Sequence, residues 1–289
     1  MISIVSQLVV THPAPARAGG AEEVRSPEAK KWVLALQASR TRTAAFKELE
    51  RMGVLAIPEL ERLARNPDAA TAARVDALDL MGRTKDARAI PVLQHFLNST
   101  EARMRWTSVK GLGQIQDPST TGDLIAVLED PEMWVRLFAV EALGELGAKD
   151  ATQPLIGRLE DDSMKVRVAA CDALAAIGDE QAIEPLSRYI GYREAELRVA
   201  AVRTLGRIGK RSASGHVVQS LQDGSPDVRL EAIAALDQIG DPGVAPQLIE
   251  VLDDERQGIR EQALATLVRL TGQDFGFDQG RWREWDRAQ

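Results

Sequence analysis

The sequence is poor in the residues that build metal and redox sites. It has one cysteine, Cys171, and three histidines, His12, His95 and His216. A single cysteine excludes an internal disulfide and any multi-cysteine metal or iron–sulfur site. None of the histidines is followed by Glu, which argues against a multi-histidine metal centre. The sequence therefore predicts no metal and no cofactor.

Aromatic residues and long apolar runs are also scarce. Phe, Trp and Tyr make up 4% of the chain, whereas hydrophobic residues as a whole reach 44%. A core of Ala, Leu, Val and Ile suits closely packed helices. No run approaches the roughly 18 apolar residues that a membrane span needs. The net charge of −7 opposes binding to nucleic acid or to anionic membranes.

Motifs typical of catalytic sites are missing as well. The chain contains no G-x-S-x-G, Walker A or G-x-G-x-x-G element. Cys171 stands at a repeat position that Val or Ile fills elsewhere, which predicts a small core residue and not a nucleophile. These observations predict a protein without a catalytic centre.

The N-terminus allows two interpretations. Residues 2–10 form a short apolar run, and Ala16 and Ala18 give an A-x-A arrangement like that of a signal-peptide cleavage site. No Lys or Arg precedes the run, and the His12–Pro15 stretch is equally typical of a disordered arm. Residues 1–27 are therefore either an N-terminal arm or a signal-peptide-like segment. Both a cytoplasmic and an exported location stay open.

Arginine recurs every 31 residues along most of the chain. The series is Arg74, Arg105, Arg136, Arg167, Arg198, Arg229 and Arg260. A small residue follows each arginine by three positions, and Leu or Met follows by seven. These offsets lie on one face of a helix, and the small residue would let a neighbouring helix approach closely.

A stop signal and a second helix follow each of these helices. Four of the predicted helix ends carry a glycine, namely Gly147, Gly178, Gly209 and Gly240. An aspartate after the stop can cap the next helix, which carries its own leucine series beginning at Leu93. One helix–turn–helix unit cannot bury both of its apolar faces, so the units must stack. The sequence thus predicts an all-α fold, an α-solenoid of about eight stacked helical hairpins with a 31-residue period.

The ends of the array depart from this pattern. Residues 28–66 echo a repeat at a spacing of 33, which predicts a degenerate N-terminal capping repeat. Residues 67–272 form the predicted repeat array. Residues 273–289 bring four aromatic side chains, Phe275, Phe277, Trp282 and Trp285, and predict an aromatic C-terminal cap.

Two segments resemble a known family. The stretches DPEMWVRLFAVEALGELG (Asp130–Gly147) and GSPDVRLEAIAALDQIGDPGVAPQLIEVLDD (Gly224–Asp254) resemble HEAT repeats, in particular the short type of the phycobilisome (PBS) lyases. The resemblance implies a right-handed superhelix whose second helices line the concave, partner-facing side. It leaves the function open, because proteins with this repeat include bilin lyases, their chaperone-like relatives, scaffolds and HEAT-built enzymes.

The phased arginines have two possible roles, an internal ladder with carboxylates or a binding stripe. We favour the ladder, since repetition this regular serves stacking. The candidate partners are the aspartates after the helix stops, Asp86, Asp117, Asp179 and Asp241, through charge-assisted hydrogen bonds.

Binding information is expected where the repeats differ. Several positions of the second helices vary in size and charge while the flanking leucines do not, although exposed positions can also drift. Trp134, in the first-helix series, replaces residues that are polar in most other repeats. The predicted partner-binding residues are Phe96, Val127, Trp134, Arg158, Arg188, Tyr189, His216, Gln219 and Glu250.

These observations predict a non-catalytic scaffold or adaptor that binds another protein. The main alternative is a bilin or tetrapyrrole lyase-like or chaperone protein. A further alternative is nucleic-acid binding through residues 188–211, where seven basic residues accompany Tyr189 and Tyr192. The net charge argues against nucleic acid, and an acidic protein segment fits the same basic region better.

Overall fold

The computed structural model describes residues 26–289, which fold into helices joined by tight turns and contain no β-strand. The α-helices are α1 (Pro27–Leu36), α2 (Arg42–Met52), α3 (Ile57–Arg65), α4 (Thr71–Arg83), α5 (Ile90–Phe96), α6 (Ala102–Ile115), α7 (Thr121–Ala126), α8 (Met133–Glu145), α9 (Thr152–Gly157), α10 (Met164–Ile177), α11 (Ile183–Ser187), α12 (Ala195–Ile208), α13 (Ser214–Val217), α14 (Pro226–Ile239), α15 (Ala245–Val251), α16 (Gln257–Thr271) and α17 (Gln279–Arg287). The predicted all-α solenoid is confirmed. Almost all of the N-terminal segment that sequence analysis left as an arm or a signal-peptide-like stretch lies outside the described residues.

Long and short helices alternate through the repeat array. The long helices, α4 to α16 in even numbers, have 13 to 15 residues and each carries one of the phased arginines. The short helices, α5 to α15 in odd numbers, have 4 to 7 residues and follow a 3-10 turn. Successive long helices pack directly on one another, whereas the short helices pack mainly against long ones.

The turn after a long helix has the chemistry that the sequence predicts. Gly178 ends α10 with a φ of 68°, a left-handed conformation that costs a glycine little. The carboxylate of Asp179 then accepts a hydrogen bond from the backbone N–H of Gln181 at 3.0 Å and caps the following 3-10 turn. Asp86, Asp117 and Asp241 cap their turns in the same way.

The long helices approach one another through small residues. The alanines three residues after the arginines are buried. A close contact also joins a glycine eight residues after one arginine to a small residue six residues after the next arginine. A Cβ atom on Gly206 would lie 2.6 Å from the Cα atom of Ala235, and Gly82, Gly113 and Gly144 have equivalent close neighbours. This contact sets the spacing of the long-helix layer.

The two ends of the described chain differ from the array. Residues 27–65 form α1, α2 and α3; α1 packs on α2 and α3, which in turn pack on α4. At the other end α17 packs against α15 and buries Trp282 completely. The Trp282 indole donates a hydrogen bond to the carbonyl of Gly276 at 2.8 Å and meets Phe275 edge-on at 4.9 Å. The assignment of both ends as caps stays a prediction.

Candidate functional site

A ladder of buried ion pairs joins neighbouring repeats at the N-terminal ends of the long helices. In each complete rung, both oxygens of an aspartate accept hydrogen bonds from Nε and Nη2 of an arginine 25 residues earlier. The four complete rungs are Arg105–Asp130, Arg136–Asp161, Arg198–Asp223 and Arg229–Asp254, with closest distances of 2.7 or 2.8 Å.

The aspartates of the ladder are not the predicted ones. Asp117, Asp179 and Asp241 cap 3-10 turns and form no ion pair with the phased arginines. Each lies twelve residues after its arginine, at the other end of a helix about 18 Å long, so the two side chains cannot meet. Arg74, Arg167 and Arg260 lack a ladder aspartate; their +25 positions hold Ser99, Tyr192 and Trp285.

Burial and hydrogen bonding shift the pKa values of the ladder carboxylates in opposite directions. Burial of Asp161 favours its neutral form, but hydrogen bonds from Arg136 and from the backbone N–H of Ser163 outweigh it and lower the pKa. The pKa values of Asp130, Asp223 and Asp254 are lowered for the same reasons. The ladder is therefore ionised at neutral pH.

One predicted series of second-helix contacts faces inward. Phe96 is 5% exposed and Tyr189 is 8% exposed, and Val127 is half-buried. Arg158 is half-buried too, and it donates to the carbonyl of Leu128 and pairs with Glu129. These residues lie three positions after a core leucine and so share its helix face. Burial of Phe96 and Tyr189 leaves little of either side chain for direct contact, and their role in partner binding stays a prediction.

The second predicted series faces solvent. Arg188, Gln219 and Glu250 are exposed; Arg188 lies one position before Tyr189, and the other two lie one position before the buried Ser220 and Val251. His216 is half-buried, with Nε2 3.5 Å from the carboxylate of Glu184. His216 and Gln219 lie in one repeat, and Arg188 and Glu250 lie in two others. Whether any of them binds a partner stays a proposal.

The long helices carry a compact aromatic surface, which we call the aromatic patch: Trp106, Trp134 and Phe138. The Phe138 ring lies 5.8 Å from Trp106 and 6.0 Å from Trp134. Trp134 is 40% exposed, and Nζ of Lys165 sits 5.0 Å from its ring centroid. Sequence analysis found Trp134 but missed Phe138, which the four-residue spacing from Trp134 places on the same helix face.

An acidic groove continues from the aromatic patch along α8 and α10. It is lined by the exposed carboxylates of Glu141, Glu145 and Asp172 over a floor that includes Gly144 and Ala173. Among residues 26–289, Asp172 has one distant ion-pair partner, at 3.8 Å, and no ion pair involves Glu141 or Glu145. Partial desolvation, and then repulsion from Glu145, raises the pKa of Glu141. The groove is suited to a cation that would relieve this repulsion.

The repeat pattern, the alternating helices and the ladder together match one family. HEAT repeats match at residues 60–132, 121–195 and 192–268, which together span more than half of the chain. The chain belongs to the HEAT-repeat family. No curated protein sequence matches it.

Solved structures resemble this HEAT-repeat protein in fold at low sequence identity. YibA of E. coli is 19% identical with a TM-score of 0.60, over 84% of this chain and 94% of its own. Kap95p, solved with RanGDP, is 16% identical with a TM-score of 0.61, over 85% of this chain and 39% of its own. The CpcE–CpcF complex of phycocyanin lyase from Nostoc is 20% identical with a TM-score of 0.48, over 80% and 94%.

Four further features bear on the alternative functions. Among residues 26–289, no helix is long and apolar enough to cross a membrane, and no cluster of His, Cys, Asp and Glu is suited to a metal ion. Cys171 is fully buried, and burial raises its pKa to about 12. Four of the seven basic residues in 188–211 pair with carboxylates of this chain, in Arg198–Asp223, Arg203–Glu231, Arg207–Asp172 and Lys210–Glu180.

Proposed function

We propose that this HEAT-repeat protein is a non-catalytic scaffold that binds another protein through its long helices. Stacked helical repeats present extended surfaces that commonly serve protein recognition. The observation that carries the proposal is the aromatic patch. In a chain with 4% aromatic residues, two tryptophans and a phenylalanine meet at the surface, and Trp is the residue most enriched at binding hot spots.

We assign the partner-facing side to the long helices in place of the second helices named by sequence analysis. Glycine and alanine contacts bring successive long helices close together, whereas the short helices pack mainly against long ones. The long helices thus form a continuous, closely packed layer, and this is the layer that we assign to the partner. The aromatic patch and the acidic groove lie on this layer.

The chemistry of this surface favours a partner segment that combines basic and apolar side chains. Apolar groups would pack on Trp134 and Phe138, and a Lys or Arg would reach Glu141, Glu145 and Asp172. An enzymatic role receives less support, because the one cysteine is buried as an unreactive thiol. Nucleic-acid binding also receives less support, since most of the basic region is neutralised by internal ion pairs.

Replacing Trp134 with alanine should weaken partner binding tenfold or more, about 1.4 kcal/mol, without altering the fold. The partner is first captured with the wild-type protein from a lysate of its source and purified, and its affinity is then measured by calorimetry. The matched control is Leu230→Ala on α14, since Leu230 is 39% exposed and lies outside the aromatic patch. An equal loss of affinity in both variants, or no loss of affinity in Trp134→Ala, would show that the aromatic patch is not the binding site.

A further inference from the structure

The arginine ladder is interrupted at one internal position. Arg167 lies between two complete rungs, those of Arg136 and Arg198. Its partner position, 25 residues later, holds Tyr192 where the complete rungs have aspartate. The period of 31 is kept through this repeat, so the change is a replacement of one side chain within an otherwise regular unit.

The backbone of the interrupted rung is the same as in the complete rungs. Nη1 of Arg167 donates to the carbonyl of Asp161 at 2.9 Å, and Nη1 of Arg198 donates to the carbonyl of Tyr192 at 3.0 Å. The complete rung of Arg136 has the equivalent bond to the carbonyl of Asp130 at 2.8 Å. The guanidinium and the loop therefore hold their ladder positions, and the carboxylate alone is missing.

The edge of the Arg167 guanidinium that would bind this carboxylate lacks an oxygen acceptor. In the complete rungs, Nε and Nη2 bind the two carboxylate oxygens. In Arg167, Nε is buried without a hydrogen-bond partner in the part of the chain that the structure describes, and Nη2 contacts only the sulfur of Met164 there, at 3.6 Å. A buried charged donor without an acceptor is unfavourable, and an incoming carboxylate would satisfy two such donors at once.

The surroundings of the interrupted rung would attract an anion. Arg188 and Arg193 flank the two tyrosines, are exposed, and take part in no ion pair among the described residues. Tyr192 is 40% exposed, with its ring 5.5 Å from that of Tyr189. An exposed side chain on a surface loop can change rotamer at little cost, so Tyr192 can make room for an incoming carboxylate. With Arg167 the site has three arginines outside ion pairs within residues 26–289 against two exposed carboxylates, Glu194 and Glu196, a small positive excess on a chain with a net charge of −7.

We propose that Arg167 binds a carboxylate from an acidic segment of the partner protein, which completes the ladder in trans. Arg167 would hold one Asp or Glu side chain in the bidentate geometry of the complete rungs, with Tyr192 turned aside. Arg188 and Arg193 would attract the flanking acidic residues. The inference rests on the proposed function only in taking the partner to be a protein, because its site is separate from the aromatic patch.

The test uses a fluorescent, end-capped octaglutamate peptide as the probe and an octaglutamine peptide as its control, with affinity measured by anisotropy at low salt. The wild-type protein and Tyr192→Phe should bind octaglutamate and not octaglutamine. Tyr192→Asp supplies the missing carboxylate from within the chain, so it should weaken octaglutamate binding tenfold or more. The same variant should raise the melting temperature by roughly 2–4 °C, because it satisfies the orphan donors of Arg167.

Gly191→Asp separates completion of the rung from the mere addition of negative charge. Gly191 is exposed with open space around its Cα atom, and an aspartate there is one residue away from the rung position. It should weaken peptide binding less than Tyr192→Asp and leave the melting temperature unchanged. Equal effects of the two substitutions, or an unchanged affinity in Tyr192→Asp, would overturn the inference. Neither result bears on the proposed function, because the Trp134→Ala measurement tests that function separately.

Discussion

Replacing Arg136 with methionine lowers the free energy of unfolding by about 3–5 kcal/mol at pH 7, the range for removing one partner of a buried ion pair. Methionine keeps the apolar stem of the arginine but leaves the carboxylate of Asp161, whose side chain is 2% exposed, without its main partner. Denaturant unfolding of the variant beside the wild type measures the loss.

Arg167→Met is the matched control for this change. It removes an arginine from the same helix position one repeat later, where no carboxylate is present and one oxygen acceptor, the carbonyl of Asp161, is lost. This variant should lose only about 1 kcal/mol. Equal losses from Arg136→Met and Arg167→Met would show that packing of the side-chain stem, and not the ion pair, stabilises the junction.

The pH dependence gives a second readout of the same ion pair. The pKa of Asp161 is lowered in the folded state, so its contribution is present above its unfolded value of about 4 and is lost as pH falls through the lower, folded value. The difference between wild type and Arg136→Met should therefore shrink below about pH 4. A difference that stays constant down to pH 2 would contradict an electrostatic origin.

Gly206→Ala should lower the free energy of unfolding by about 2 kcal/mol, although alanine is the better helix former. The added Cβ atom would lie 2.6 Å from both Cα and Cβ of Ala235, so α12 and α14 must move apart. Displacement of two backbones at a close-packed contact costs more than the gain in helix propensity, roughly 1 kcal/mol.

Gly157→Ala serves as the control for this substitution. Gly157 lies at the exposed end of α9 with no atom within 4 Å of an added Cβ. The same chemical change there should stabilise the protein by up to about 1 kcal/mol. Thermal unfolding of the two variants should move the melting temperature in opposite directions. If both variants were stabilised, glycine at position 206 would not set the helix spacing.

Local features of the fold could be predicted from the sequence because they depend on neighbours along the chain. The 31-residue period, the glycine stop at Gly178 and the cap at Asp179 are of this kind. The ladder partners depend on how one repeat packs on the next. The sequence prediction chose the aspartates nearer to each arginine along the chain, and these are not the ones that pair with it. The correct ones were nevertheless visible, since Asp130, Asp161, Asp223 and Asp254 keep the period of 31.

The binding residues were harder to predict because a position that varies between repeats is not always exposed to solvent. Phe96 and Tyr189 vary between repeats, yet an offset of three from a leucine turns both toward the core. The acidic groove depends on side chains from two helices that only the stacked structure brings together. Trp134 stood out because it replaces a residue that is polar in most other repeats, and the same comparison applied to Phe138 would have completed the aromatic patch.

The most direct test of partner binding by the long helices is hydroxyl-radical footprinting of the wild-type protein with and without its purified partner. If the partner binds the aromatic patch, oxidation of Trp134 and Phe138 should fall several-fold in the complex. Oxidation of His95, an exposed short-helix residue, should stay unchanged. Protection of His95 with no change at Trp134 would place the partner on the short-helix side and contradict the account.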